Sequence, residues 1–330
     1  MDITVILCTY NRCQKLARTL TSIAEQSVPA EVSWEVLVID NNSTDKTREA
    51  VEEINRAHPN RFRYFFEPRQ GKSNALNLGI QNAVGEVLAF VDDDVIAETT
   101  WLRNLTWALL SEDWAGAGGR ILPEKGFTPP KWIATQEPHA LSPLVVFDPK
   151  QEAGPLHVAP FGANMAFRRR VFEQYGRFRL DLGPQPGLSP QKCEDSEFGR
   201  RLLMAGERLR YEPSAVIYHE VPATRVQKYY FLKWWHDKAR SDIRAFGIPV
   251  QSGWFICGVP VSLFRRLAFW TLRWLVAIEP KQRFSCKLKA WRRAGEISEC
   301  FQQRQPRQIV TRTKLSRIDA GSSWHDSIED

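Results

Sequence analysis

Over its first hundred residues the chain alternates short, largely apolar runs with longer stretches in which apolar side chains recur every three or four positions. Residues 3–8, 34–39, Phe62–Phe66 and Val87–Val91 are the apolar runs, and each reads as a buried strand. Between them, Leu16, Leu20, Ile23 and Ala24 share one helical face before Pro29. Ser43 or Thr44 can cap a second helix running through Ile54, and residues 72–84 make a third. Strands separated by helices of this length predict an α/β fold with a largely parallel sheet flanked by helices. Ligands of such sheets gather at the carboxyl ends of the strands. Here those ends carry residues 9–12, Asp40 and the run Asp92-Asp93-Asp94.

Regularity then fades. Residues 101–110 predict a helix, and the proline-rich stretch 123–160 predicts a long irregular excursion. Helical spacing returns over 194–205, a short strand over 215–218 leads to His219, and from Tyr229 the chain reads as aromatic, basic helix. With 330 residues, 43% of them hydrophobic and 25% charged, the chain can bury a full core, which excludes disordered, collagen-like and disulfide-scaffold classes. Its net charge of +7 is unevenly spread: residues 225–317 hold 20 Lys/Arg against 5 Asp/Glu, or +15, leaving −8 on the rest. A basic carboxyl-terminal extension on a mildly acidic body asks for an anionic partner. The six cysteines form no CxxC pair, there is no apolar run of ~18 residues, and the acidic start does not read as a secretory signal. A cytoplasmic address is expected.

The chemistry concentrates at Asp92-Asp93-Asp94. Adjacent carboxylates at one strand end repel unless a cation lies among them, and hard oxygen donors suit Mg²⁺ or Mn²⁺ bridging to a diphosphate. A solvated acidic turn is the alternative. Asp40 and Glu194-Asp195 add to the acidic edge. The triplet Gly71-Lys72-Ser73 invites a phosphate-loop reading, but the glycine required five positions before Gly71 is Phe66.

Seven motifs in order carry a resemblance. Cys8-Thr9-Tyr10-Asn11-Arg12, the run from Val36 to Asp40 with Asn41-Asn42-Ser43-Thr44-Asp45, Gly71-Lys72-Ser73-Asn74-Ala75-Leu76-Asn77 and Val91-Asp92-Asp93-Asp94 are followed by Gly162-Ala163-Asn164 with Arg168-Arg169, Glu194-Asp195 and Tyr218-His219-Glu220. Together they resemble an inverting family 2 glycosyltransferase of the GT-A fold, across about residues 3–220. That resemblance implies a catalytic domain over residues 1–224, with a nucleotide-binding half over 1–100 and an acceptor half over 101–224, followed by a helical extension over 225–330. It implies a nucleotide-sugar donor, UDP-linked, and a hydroxyl acceptor in polysaccharide or lipid-linked glycan synthesis. Thr9, Tyr10 and Arg12 match the loop beneath the base, with Tyr10 either stacking on it or packing on the following helix. Asp40 matches an acceptor for uracil N3–H, and Lys72 a basic position near the nucleotide. Asp94 matches a ligand of Mn²⁺ or Mg²⁺, with Asp92 reaching the ion or the ribose and His219 a further ligand; the sequence leaves open which of Asp92, Asp93 and Asp94 does what. Asp195 matches the base, with Glu194 beside it. Gly162 and Asn164 match a segment against the donor sugar, and Arg240 lies in a segment that resembles one closing over the diphosphate.

Two other classes compete. A nucleotidyltransferase also pairs strand-end aspartates with Mg²⁺, but needs a glycine-rich triphosphate loop that residues 9–12 do not provide. A nucleic-acid-binding module would exploit the basic extension, and the acidic rim argues against it, so no nucleic acid is expected. Within 254–278 the only basic residues, Arg265, Arg266 and Arg273, fall at about 0°, 100° and 80° on a helical wheel. Leu263, Phe264, Leu267, Trp270, Thr271, Trp274, Leu275 and Ile278 mostly take the other arc. Such a helix can lie on the inner face of a membrane, drawn by anionic headgroups, or dock its apolar arc on the catalytic domain.

Overall fold

The four apolar runs are strands β1 (Ile3–Thr9), β2 (Trp34–Asp40), β3 (Phe62–Phe66) and β4 (Val87–Val91), all parallel in the order β3-β2-β1-β4. The computed structural model describes residues 1–133, 135, 140–185, 192–248 and 254–303. Buried on both faces, β1 and β2 have no polar alternation, as parallel strands under helices require. Leu16, Leu20 and Ile23 of α1 (Cys13–Ala24), Val51 of α2 (Thr47–Ala57), Leu76 and Ile80 of α3 (Lys72–Asn82), and Trp101, Leu102 and Leu105 of α4 (Trp101–Ser111) join the strands in one core.

The sheet continues as β8-β6-β9-β5, with β7 (Gly154–Pro155) paired to β9. Strand β5 is Val95–Ala97, β6 is Gly116–Pro123, β8 is Asn164–Arg168 and β9 is Leu209–His219. This half mixes directions: β8 is antiparallel to β4 and β6, while β6 and β9 are parallel. Two differences from the sequence reading have clear causes. The glycines of β6 look unlike a strand, yet a Cβ on Gly116 would meet the Phe167 ring at 2.4 Å, so close packing demands them. Strand β9 begins six residues earlier than expected, because a register shift at Gly119/Arg120 lets it carry Pro213. Helix α2 also starts later than expected. Asp45, rather than Ser43 or Thr44, accepts the Thr47 N–H, while Ser43 and Thr44 bind Asn11. Helices α5 (Arg169–Tyr175) and α6 (Glu194–Met204) complete this unit.

Contacts divide the chain into two units, the first comprising residues 1–126, 145–190 and 194–221 and the second residues 127–144, 191–193 and 222–330. The second therefore takes in part of the proline-rich excursion. Trp132 stands edge-on to Phe231 and Phe284, with ring centroids 5.1 and 4.8 Å away. Its frame is α7 (Lys228–Phe246), α8 (Val261–Val276) and α9 (Pro280–Gln302). Glu279 caps α9 by accepting from Lys281 and Gln282, with Pro280 at the first helical position. Residues 254–278, read as one helix, divide: β10 (Phe255–Ile256) and β11 (Val259–Pro260) form a hairpin, and α8 starts only after Pro260. No described helix is long and apolar enough to cross a membrane.

Candidate active site

Strand register brings the polar ends together. Thr9 at the end of β1 is paired with Asp40 at the end of β2, and β4, on the other side of β1, runs directly into Asp92-Asp93-Asp94. The three aspartates differ in their partners, with Arg12 shared between the last two. Asp92 accepts from Lys72 Nζ at 2.7 Å. Asp93 is buried and accepts from Thr9 Oγ1 and Arg12 Nη1, both at 2.8 Å. Asp94 lies 3.1 Å from Arg12 Nη1 and 3.3 Å from Nε2 of His219, the last residue of β9. His219 is buried, and its Nδ1 has no hydrogen-bond partner.

Lys72 opens α3 because the chain before it is tied down. Asn41 Nδ2 donates to the carbonyls of Glu67 and Arg69, and Asn41 Oδ1 accepts the Gly71 N–H. From there the Lys72 ammonium reaches Asp92 and stands 3.8 Å from Glu194 at the start of α6. Burial pulls the Lys72 pKa down, but Asp92 and Glu194 outweigh it and hold the lysine charged. Glu194 is buried and pushed up to about 7, first by burial and then by the Asp195 charge, with Lys72 opposing both. Burial also raises Asp93, against the pull of Arg12.

Asp195 is held from two sides. Its Oδ2 accepts the Gly162 N–H at 2.8 Å, and its Oδ1 accepts the Ser196 N–H. A Cβ on Gly162 would stand 3.1 Å from Asp195 Oδ2, so the glycine permits this approach. Asp92, Asp93, Asp94, Glu194 and Asp195 thus gather with Lys72 and Arg12, a formal charge of −3 if all ionise. Such an edge fits a divalent cation. Asp94 Oδ1 and the His219 Nε2 that faces it at 3.3 Å can each offer it a donor atom. Among the described residues no three His, Cys, Asp or Glu side chains form a ready-made cage. The protein would supply one or two carboxylates and an imidazole, leaving the remaining positions to phosphate oxygens and water.

Several sequence-level assignments change. Asn164, expected to face the sugar, is wholly buried: Nδ2 donates to the carbonyls of Arg120 and Ala215, and Oδ1 accepts from Trp101 Nε1. With those bonds made it ties α4, β6 and β9 to β8. Gly162 spends its N–H on Asp195. Arg240 lies on α7 in the second unit, where it donates to Glu299 and Gln302. Asp40 accepts from Ser43 N–H on Oδ1 and from the Tyr64 hydroxyl, at 2.7 Å, on Oδ2. The sequence reading missed Tyr64, whose one signal was its place in β3, in register with Val38. Tyr10 is exposed beside this rim.

Comparison with known proteins gives the class. The mannosyltransferase PcManGT from Pyrobaculum calidifontis, solved with GDP-Man and Mn²⁺, matches with a TM-score of 0.63 over 92% of this chain and 88% of its own, at 20% identity. The architecture is that of the GT-A glycosyltransferases. Residues 4–176 match the model for Glycosyl transferase family 2, and the chain belongs to that family. Among its relatives, the succinoglycan biosynthesis protein ExoM of Rhizobium meliloti is 29% identical over 226 residues, 68% of this chain and 69% of its own. Similarly, the glucosyl-dolichyl phosphate glucuronosyltransferase of Haloferax volcanii is 25% identical over 234 residues, 67% of this chain and 70% of its own. The chain is a glycosyltransferase.

Proposed function

We propose that the protein moves a sugar from a UDP-linked donor to a hydroxyl of a polysaccharide or lipid-linked glycan, with inversion at the anomeric carbon. The names of the two relatives, one of succinoglycan synthesis and one of a dolichyl phosphate acceptor, support that acceptor class. The observation that carries the reaction is Lys72, which joins the strand-end Asp92 to Glu194, the neighbour of Asp195, within one unit.

Asp195 is the base. Its two N–H bonds, from Gly162 and Ser196, fix the carboxylate and leave lone pairs for the acceptor hydroxyl. The acceptor oxygen forms the new bond to the anomeric carbon as its proton passes to Asp195. The bond from that carbon to the diphosphate breaks, and its electron pair leaves with the nucleoside diphosphate. Glu194, taking up protons near neutrality, tempers the negative charge beside Asp195. Asp40, braced by Tyr64, accepts uracil N3–H, and Tyr10 stacks on the base. Asp93 braces this loop through Thr9 and Arg12 instead of binding a ligand. Asp94, with His219 and Asp92, would hold Mn²⁺ or Mg²⁺, which when bound supplies Lewis-acid charge to the departing diphosphate.

Asp195→Asn tests the base. Turnover should fall by about 10²–10⁴-fold while donor affinity stays within a few fold. Retained turnover, or lost donor binding, contradicts the assignment.

A further inference from the structure

Helix α8 has two apolar faces, and among the described residues only one of them has a partner. Leu263 and Trp270 are buried, and Leu267 and Trp274 partly so, in clusters with side chains of α9 such as Cys286, Ala290 and Ile297. Most of the arc that the sequence pattern offered to a membrane is used inside the second unit, Leu275 and Ile278 excepted. A helix so placed normally turns a polar face to solvent. Instead the outer arc carries Phe269, Leu272, Leu275 and Val276, and Ile278 follows the helix. Leu272 is 63%, Val276 73% and Ile278 96% exposed. At the other end of α8 the hairpin adds Trp254, Phe255 and Ile256, with Trp254 87% exposed.

The surrounding charge is one-sided. From residue 254 to residue 283 there are five basic residues, Arg265, Arg266, Arg273, Lys281 and Arg283, against the single acid Glu279. Arg273 sits over the Phe269 and Trp270 rings, and Lys289 over Trp270, so cations border the apolar ridge. We propose that this outer face of α8 lies on a bilayer carrying anionic lipid, its apolar ridge at the acyl boundary and its arginines among the headgroup phosphates. The charge favours this occupant over a second copy of the chain. An isologous dimer through the ridge would set these arginines against their own counterparts. At 16 residues, about 24 Å long, and with three arginines, α8 suits lying in the interface. This surface does not depend on the proposed reaction, though it would hold the enzyme where lipid-linked acceptors reside.

The test is flotation of the full chain, without donor or acceptor, on vesicles of phosphatidylcholine alone or with about one-third phosphatidylglycerol. The chain should float with the anionic vesicles and be released as salt rises from about 0.1 to 0.5 M. The double variant Leu272→Asp/Val276→Asp should weaken partitioning by tenfold or more, and Arg265→Gln and Arg273→Gln by roughly fivefold each. All four positions are solvent-facing, so melting temperature and nucleotide binding should stay at wild-type values, separating lost docking from lost folding. Equal binding to neutral and anionic vesicles, or wild-type partitioning by the double Asp variant, overturns the proposal. So does a wild-type chain that ignores vesicles but self-associates through a contact that Leu272→Asp/Val276→Asp abolishes.

Discussion

Glu194→Gln isolates the electrostatic strain in the acidic cluster. Glu194 is 5% exposed, and its carboxyl is pushed from the ordinary 4.5 up to about 7 by burial and by Asp195. That gap corresponds to about 3 kcal/mol. A raised carboxyl favours the folded state while both states are protonated, below about pH 4.5. As pH rises through that point the unfolded chain ionises first, and the advantage drains away until the folded group ionises near 7. Above pH 7 the wild type carries the whole penalty. Glutamine keeps the shape without the titration. Urea melts of both proteins should therefore nearly coincide at pH 4.5, with the variant pulling ahead by about 2–3 kcal/mol at pH 8. A variant that is destabilised equally at both pH values, or whose advantage shrinks as pH rises, would refute the reasoning. It would mean that the Lys72 contact at 3.8 Å outweighs burial.

Two further substitutions separate structural from ligand-facing groups. Asn164→Ala strands the Trp101 indole N–H and two carbonyls in the core, and should cost about 3 kcal/mol with donor KM unchanged in the folded protein. A raised donor KM without loss of stability would return Asn164 to the sugar site. Tyr64→Phe removes a 2.7 Å hydrogen bond to Asp40 and should weaken UDP binding by roughly fivefold while leaving GDP binding unchanged, read by calorimetry. Equal losses for both nucleotides would argue against uracil readout by Asp40.

The amino-terminal half was legible because three of its four strands, β1, β2 and β4, are buried on both faces, while β3 is an edge strand. β1, β2 and β4 are largely apolar runs, and the ends of β2 and β4 announce Asp40 and Asp92–Asp94. The second half was harder to read because packing, not periodicity, decides it. Gly116 serves a phenylalanine ring, and the start of β9 hides behind Pro213 and a register shift. Motif position alone could not tell that Asn164 spends its hydrogen bonds on the backbone and an indole, or that Asp93 spends its own on Thr9 and Arg12. The sequence pattern showed one apolar arc on α8 opposite its arginines and passed over Phe269, Leu272 and Val276, which lie among them. Which face α9 covers follows from the neighbour and not from the helix itself. Tyr64 and the reach of Lys72 to Glu194 are likewise contacts between elements far apart in sequence.

The central claim is a division of labour: Asp94 serves the cation and diphosphate, while Asp195 serves the acceptor's proton. Calorimetric titration of UDP into the wild type, Asp94→Ala and Asp195→Asn, each with and without Mn²⁺, tests it directly. Mn²⁺ should tighten UDP binding to the wild type and to Asp195→Asn alike, and have no effect on Asp94→Ala. An undiminished Mn²⁺ effect in Asp94→Ala, or its loss in Asp195→Asn alone, would contradict the account.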